Sequence, residues 1–445
     1  MNWSLLASSY GAVFGNVQVL LMTFLGALGG VLLGAIPGMT ATMGVALLIP
    51  FSFGMDLIPS IGLLLGIYCG GMYGGSISAI LIHAPGTPAA AATLLDGYPM
   101  CQKGQAGKAL SVAMFASFVG GVIGALIMTF LSPIIADMAM NFGPGEMFML
   151  AVFGLSVIVA ISGKSIAKGM ISAFFGMVLC TVGLDPTYSV KRFTFGVKPL
   201  LSGFQFIPTL IGLFAVAEVI AGVERIIRGE EKQESSHEKI TNVLPDWQTI
   251  KAIWPNILSG GIIGTFIGAI PGAGGDIAVF VSYGFNKSLS KHPELWGTGI
   301  PNGVASTESA NNGCSGGAMI PLLSLGVPGD SVTAILLGAF IMKGIQPGPM
   351  MYISELPTVY KVFAALMLAN LAMLVVGCLG VRFFAKIVSV EKKMLYPIIL
   401  VISLLGAFSI NKNVFDVGVC VVFGVIGWLM NKYEFPLSPI LLALI

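Results

Sequence analysis

Charge is what this sequence has least of. Only 9% of its residues are charged and 56% are hydrophobic, where a soluble domain carries roughly 25% charge. So little charge cannot solvate a globular surface, and a soluble class is excluded. The net charge of +2 is too small to suggest a nucleic-acid partner. There are only three histidines, with neither an HExxH motif nor a phosphate-cradling P-loop. The six cysteines (Cys69, Cys101, Cys180, Cys314, Cys378, Cys420) are scattered, with no CxxC pair and no histidine at ligand spacing, so they read as small packing residues. The short alternating strands of a membrane barrel are missing too. No Lys or Arg precedes the first apolar run in MNWSLLASSYGAVFGNVQV. A cleaved signal peptide is therefore not expected, and the first helix is expected to stay in the membrane.

What is present is a recurrence of apolar segments about 20 residues long, the length that crosses a hydrocarbon core. The chain reads as an all-α polytopic membrane protein. Spans are expected over Phe14–Gly34, Leu57–Ile82, Ala109–Pro133, Phe148–Ile161, Ile166–Leu184 and Phe206–Val223. The piece Met43–Phe53 is marginal for a crossing. Asp96–Lys108 reads as a polar patch between spans. Thr87 suits a helix N-cap with Pro88 at the first helical position.

Residues 299–348 break this pattern. Asn302, Ser306, Thr307, Glu308, Ser309, Asn311, Asn312 and Asp330 sit there among many glycines and prolines, between apolar runs. Neither a solvent loop nor a lipid-facing helix carries such a cluster. Polar groups on interrupted membrane helices mark substrate or ion paths, so this stretch reads as half of a transport site.

The other half is found by internal repetition. Ile267-Gly268-Ala269-Ile270-Pro271-Gly272 repeats Leu33-Gly34-Ala35-Ile36-Pro37-Gly38 nearly letter for letter. Val327-Pro328-Gly329-Asp330 echoes Ala84-Pro85-Gly86-Thr87, and Gly-Gly pairs precede both (Gly316-Gly317 and Gly74-Gly75). Phe435-x-x-x-Pro439 answers Phe204-x-x-x-Pro208. Two copies of one unit are expected, 1–223 and 253–445, joined by a charged linker over 224–252.

Basic residues orient the copies. Counting spans back from the Glu224–Lys251 loop puts Lys103, Lys108, Lys164 and Lys168 on its side of the membrane. If the second copy is inverted, Arg382, Lys386, Lys392, Lys393 and Lys432 join them, while Lys191, Arg192, Lys198, Lys343, Lys361 and Lys412 lie opposite. Inversion gives the stronger asymmetry, with the linker in the cytoplasm.

The segments GYPMCQKGQAGKAL (97–110), GAIPGAGGDIA (268–278), SKHPELWGTG (290–299), ESANNGCSGGAMIPLLSLGVPG (308–329) and GIQPGP (344–349) resemble the large membrane subunit of the bacterial tripartite tricarboxylate transporters. The resemblance covers essentially the whole chain. It implies a multi-pass secondary transporter of the bacterial inner membrane, without a cofactor, that moves in an elevator-like way. Its implied partners are a small membrane subunit and a periplasmic substrate-binding protein, and its implied task is cation-coupled uptake of carboxylates. A homo-oligomer is compatible with it. The chain departs from the usual pattern at Asp276 and Asp330, where a small neutral residue is common, and at His83, where Asn is common. It also ends sooner after Pro439 than the resemblance leads one to expect, as if truncated. The extra acids argue against a highly charged tricarboxylate or else serve as cation ligands.

A carboxylate substrate needs positive potential, yet few Lys or Arg lie within the apolar spans. Helix N-termini are the alternative, each worth roughly half a charge. The Pro-Gly breaks supply them, with re-entrant hairpins expected there. The candidate substrate contacts are Gly38, Thr40 and Thr42; Pro85, Gly86 and Thr87; Gly272, Gly274 and Gly275; Asn302 and Ser306; and Pro328, Gly329 and Ser331. Plain turns between spans are the competing reading of the Pro-Gly pairs. Glu308, Asn311, Asn312, Asp276 and Asp330 offer the hard oxygens that Na⁺ or a proton relay uses. Asp276 and Asp330 also suit N-caps. Glu308 has no capping role to explain it and ranks first among the acids. His83 titrates near neutral pH if it is not simply packed.

Two other classes compete. An ion channel can use the same broken helices. An intramembrane hydrolase would use Ser315 in Gly313-Cys314-Ser315-Gly316, but it needs a histidine base, and His83, His237 and His292 all precede it. The charge asymmetry makes a topological prediction: a cysteine placed at Ser235 stays unlabelled by an impermeant thiol reagent applied to intact cells. Ready labelling would reverse the orientation.

Overall fold

The computed structural model describes residues 2–36, 38–143, 145–146, 148–149, 152, 165–185, 190–229, 244–387 and 392–444. Helices dominate them, and the one sheet among the described residues pairs Gly183–Leu184 with Lys191–Arg192. Seven of the described helices are long and apolar enough to cross a membrane, so the all-α polytopic expectation is met. The span expected at Phe148–Ile161 falls largely outside the described residues.

In the first half, α1 (Trp3–Phe14) and α2 (Val17–Ala35) replace the single span expected from Phe14. The Asn16 side chain accepts the Gln18 and Val19 N–H groups and starts a new helix there. Then come α3 (Ala41–Leu48), α4 (Leu57–Ile82), α5 (Leu94–Gln102), α6 (Ala106–Ala139) and α7 (Ile166–Cys180). The last of this half is α8 (Phe206–Ile227), with a π-helical segment at Gly212–Val216. The second half comprises α9 (Trp247–Gly268), α10 (Gly274–Leu289), α11 (Pro301–Leu325) and α12 (Ser331–Met342). It ends with α13 (Leu356–Ile387), α14 (Lys392–Asn411), α15 (Val414–Lys432) and α16 (Ser438–Leu444). The charged linker is shorter than expected at both ends, because α8 runs on to Ile227 and α9 begins at Trp247. Asp246 caps α9 by accepting the Thr249 N–H at 2.8 Å, and the backbone and hydroxyl donors of Thr249 hold its carboxyl below the usual carboxylate range.

Two helices form the centre. Across its apolar window α4 is 89% buried, as expected for a helix apolar all round. In α11 every residue from Gly303 to Ser324 is buried. The polar cluster therefore sits on one unbroken helix, and the interruption comes only after it, at Gly326–Asp330. A core helix tolerates these groups because other helices, and not lipid, supply their hydrogen bonds.

Glycine brings the helices close enough for backbones to touch. Cβ atoms added at Gly26, Gly30 and Gly34 of α2 would lie 2.1, 2.4 and 2.4 Å from the Leu63, Ile67 and Gly71 carbonyl oxygens of α4. In the second half, Cβ atoms at Gly260, Gly264 and Gly268 of α9 would lie 2.6, 2.1 and 2.6 Å from the Ser306, Ala310 and Cys314 carbonyl oxygens of α11. This is small-residue membrane packing at four-residue spacing, made twice with the same register against the repeated motif. The outer partners cross over: α6 packs on α11 and α13 packs on α4. Each central helix is thus flanked by the glycine helix of its own half and the long helix of the other.

The break regions repeat as well. A Cβ at Gly86 would sit 1.9 Å from the Gly34 carbonyl oxygen, and one at Gly329 would sit 2.6 Å from that of Gly268. The residues closing α4 and α11, His83 and Gly326, both take left-handed backbone, with φ 54 and 74. Asn, His and Gly tolerate that region, which accounts for His83 as a helix terminator.

Gly264→Ala would wedge α9 from α11, and overpacking of this kind costs about 2 kcal/mol or more. The expected result is a melting temperature lower by about 2 °C or more in detergent. A Cβ at Gly284 of α10 meets nothing within 4 Å, so Gly284→Ala is expected to be neutral or slightly stabilising.

Candidate functional site

The breaks meet around one cavity of about 390 Å³. Four helical starts, two from each half, reach its wall. From the first half come the beginning of α3 and the turn Pro88–Ala91; from the second come the beginnings of α10 and α12. Gly38 and Gly272, at equivalent places in the repeat, hold φ of 87 and 83, which only glycine adopts at little cost. The last part of the wall is built by Leu213, Phe214 and Glu218 of α8 and by Asn431, Pro436 and Leu437.

The expected substrate contacts divide between wall and surroundings. Gly38, Thr40, Thr42 and Thr87 line the cavity from the first half, and Gly272, Gly274, Gly275 and Ser331 from the second. Pro85, Gly86, Pro328 and Gly329 do not reach the wall but form the packed breaks behind it. The Gly86 N–H donates to the Gly75 carbonyl at 3.2 Å, and the Gly272 N–H to the Gly329 carbonyl at 2.7 Å. Asn302 lies elsewhere, donating to Asn256 at 2.7 Å near the start of α11. Ser306 turns back to the Gly303 carbonyl within its own helix at 3.0 Å.

The capping expectations split too. Asp330 does cap α12: its carboxylate accepts the Thr333 N–H at 2.8 Å, and Thr333 completes a capping box. Tyr68 of α4 donates to its other oxygen. Thr87 does not cap, although Pro88 does begin the following turn; its hydroxyl is buried and has no hydrogen-bond partner among the described residues. Nor does Asp276 cap α10, since the capping position belongs to Ala273 and Asp276 stands in the first turn. Both acids line the cavity.

Glu308 is away from the cavity wall. In the middle of α11 it is fully buried and accepts hydroxyls from Ser76 at 2.6 Å, Ser117 at 2.9 Å and Thr93. Thr307 lies 3.1 Å from Thr93 in the same cluster. Oxygens from α4, α6, α11 and the segment before α5 therefore surround one carboxyl group. Asn311 donates to the Met72 carbonyl at 3.2 Å, while its own oxygen and both amide atoms of Asn312 are buried without a partner among the described residues. A buried carboxyl whose neighbours are hydroxyls needs a proton or a cation to be stable there.

Asp96, placed in a solvated patch by the sequence, is fully buried in α5. It accepts the N–H groups of Gly297, Gly299 and Ile300 at 3.0, 2.8 and 3.0 Å and the Tyr283 hydroxyl at 2.9 Å. This carboxylate ties the first half to the entry of α11. Its local surroundings, between apolar Leu95 and Gly97, were the available signal, but the donors lie about two hundred positions away. Tyr68 was missed for the same reason. Ser315 donates to the Asn312 carbonyl at 2.6 Å within α11. His83 stacks on Tyr98, His292 stands beside Glu294 in an exposed turn, and His237 lies outside the described residues.

The arrangement brings acids, amides and hydroxyls together inside an apolar helical body. Comparison with known proteins shows the family. The model of the tripartite tricarboxylate transporter TctA family matches residues 20–442. An Agrobacterium vitis protein described as an uncharacterized 52.8 kDa protein in the TAR-I ttuC' 3' region is 37% identical over 422 residues, covering 95% of this chain and 83% of that protein. A second protein of that organism, described by the TAR-II ttuC' 3' region, is 36% identical over 182 residues, covering 41% of this chain and 75% of its own length. No solved structure matches. This chain belongs to the tripartite tricarboxylate transporter TctA family.

Proposed function

We propose that this protein is the large membrane subunit of a binding-protein-dependent, cation-coupled secondary transporter importing carboxylates across the bacterial inner membrane. One observation carries the reading: four helical starts, two from each half, converge on a single cavity. Backbone N–H groups at such starts attract carboxylates without a buried Lys or Arg. The partners are a small membrane subunit and a periplasmic binding protein, which delivers the substrate. The two halves act as inverted repeats, and movement between them exposes the cavity alternately in an elevator-like cycle. The exchanged packing of α6 and α13 supports this relation between the halves.

The coupling ion, Na⁺ or H⁺, is assigned to the acids: Glu308 with Asn311 and Asn312, and Asp276 and Asp330 at the cavity. The Glu308 cluster suits this role because it is built only of oxygens from both halves, so its occupancy can bias how the halves pack. A channel on the same helices has no need of a carboxylate cavity or of a delivery protein.

The function is tested by uptake into proteoliposomes holding both membrane subunits, with the cognate binding protein and a panel of carboxylates, with and without a Na⁺ or pH gradient. Gradient-driven accumulation that requires the binding protein is expected. Full transport by this subunit alone, or a continuous conductance, would refute it.

Within that assay Glu308→Gln is expected to slow initial uptake at least tenfold, and more than Asp330→Asn, normalised to membrane expression. Asn replaces Asp as an N-cap with little loss, whereas no neutral residue carries the charge or the proton. Equal small effects would leave Glu308 as a hydrogen-bonding residue of the core.

A further inference from the structure

Three acids face the cavity, and their situations differ. Glu218 is engaged by Arg225. Asp330 has one oxygen on Thr333 and the other on Tyr68. Asp276 is exposed to the cavity from the first turn of α10, and no hydrogen bond or ion pair to any described residue engages its carboxylate. No Lys or Arg lines the wall among the described residues. An anion entering this space therefore meets an unpaired negative charge, and repulsion grows with every charge the anion carries. The helix starts offset only about half a charge each. They match one carboxylate group far better than three.

Thr87 borders the same corner, with its hydroxyl set against Gly75 of α4. Thr87 is only 4% exposed, lines the cavity, and its hydroxyl has no hydrogen-bond partner among the described residues. Its turn packs on the start of α10: a Cβ at Gly275 would touch the Ala89 Cβ at 3.3 Å. The unengaged Asp276 carboxylate offers hard oxygens of the kind a cation recruits.

We propose that Asp276 takes up a single positive charge that accompanies the bound carboxylate, so the cavity selects charge-compensated carboxylates over bare polyanions. This rests on the reading of the cavity as a carboxylate site. The charge has two sources with one chemistry: a monovalent inorganic cation, or an ammonium group on the substrate itself. Asp276 is thus a specificity-determining residue, while Asp330 is in addition hydrogen-bonded to Thr333 and Tyr68 and holds α12.

The test is equilibrium binding to the complex of both membrane subunits in lipid nanodiscs, which removes the selectivity of the delivery protein. The probes are lactate, its zwitterionic counterpart alanine, and citrate, each in choline and in Na⁺ buffer. Wild type, Asp276→Asn and Asp276→Glu are compared. In wild type, citrate in choline is expected to bind at least tenfold more weakly than the best monocarboxylate. In Asp276→Asn that gap closes by at least tenfold, about 1.4 kcal/mol, while Asp276→Glu keeps the wild-type order. If the inorganic ion is the source, Na⁺ strengthens binding in wild type and not in Asp276→Asn. If the substrate supplies the charge, wild type prefers alanine to lactate and Asp276→Asn does not. Carboxylate binding with the same ratios and the same Na⁺ response in all three proteins would overturn this inference and leave the carboxylate site standing. Binding of no carboxylate by any of them would overturn both.

Discussion

Contact between bare helix backbones is the constraint on which the rest of this structure depends. In a membrane the hydrophobic effect does little to hold one helix against another, because lipid is as apolar as a side chain; shape and hydrogen bonding must do it instead. Here α2 meets α4, and α9 meets α11, through glycines whose Cβ atoms would overlap carbonyl oxygens of the facing helix. That closeness completely encloses α11, and enclosure is what permits a helix bearing Glu308, Asn311, Asn312 and several hydroxyls at its centre. The same contact puts the two breaks, Gly86 against Gly34 and Gly329 against Gly268, at matching places, from which the short helices start toward the cavity.

Once buried, the polar groups have to satisfy one another, and they do so across the halves. Asp96 of the first half collects three backbone N–H groups and a tyrosine hydroxyl from the second. Glu308 of the second half draws three hydroxyls from the first. Asp330 and Tyr68 make a further bond of this kind. Each removes a desolvation cost that neither half can remove alone. The two halves are thus fastened by polar bonds inside a predominantly apolar molecule, and any relative movement during transport must keep those bonds or exchange them.

On the proposed reading, the cavity draws an anion with no Lys or Arg in its wall among the described residues, and Arg225, beside Gly38, is paired with Glu218. Helical starts would supply its positive potential, and of the acids in its wall Asp276 alone lacks a hydrogen bond or ion pair among the described residues. If the cavity takes carboxylates, as proposed, its net acidic wall opposes only a bare polyanion. For a carboxylate that travels with a positive charge it is a fit.

The sequence by itself determined the class of this protein. So little charge, and apolar runs of membrane length, leave no other way to satisfy a backbone than helices in a bilayer. The repeated Gly-Ala-Ile-Pro-Gly motif also made the two break regions legible, because glycine and proline act on the backbone locally and leave a letter pattern. Thr40 at its cap, Gly38 and Gly272 at their positive φ, and Asp330 before α12 follow from such local rules. What only the tertiary structure decided is which polar residues meet. The stretch read as broken is broken, but only at Gly326–Asp330; its polar residues from Asn302 to Asn312 share one continuous helix, since whether a polar helix survives depends on what surrounds it. Asp96 was read into a polar patch between spans and is buried, Thr87 looked like a cap and its hydroxyl has no partner among the described residues, and Glu308, read as a coupling acid, lies behind the cavity wall among hydroxyls. Each of these outcomes turns on partners far away in the chain, and burial and pairing are properties of the packed helices together.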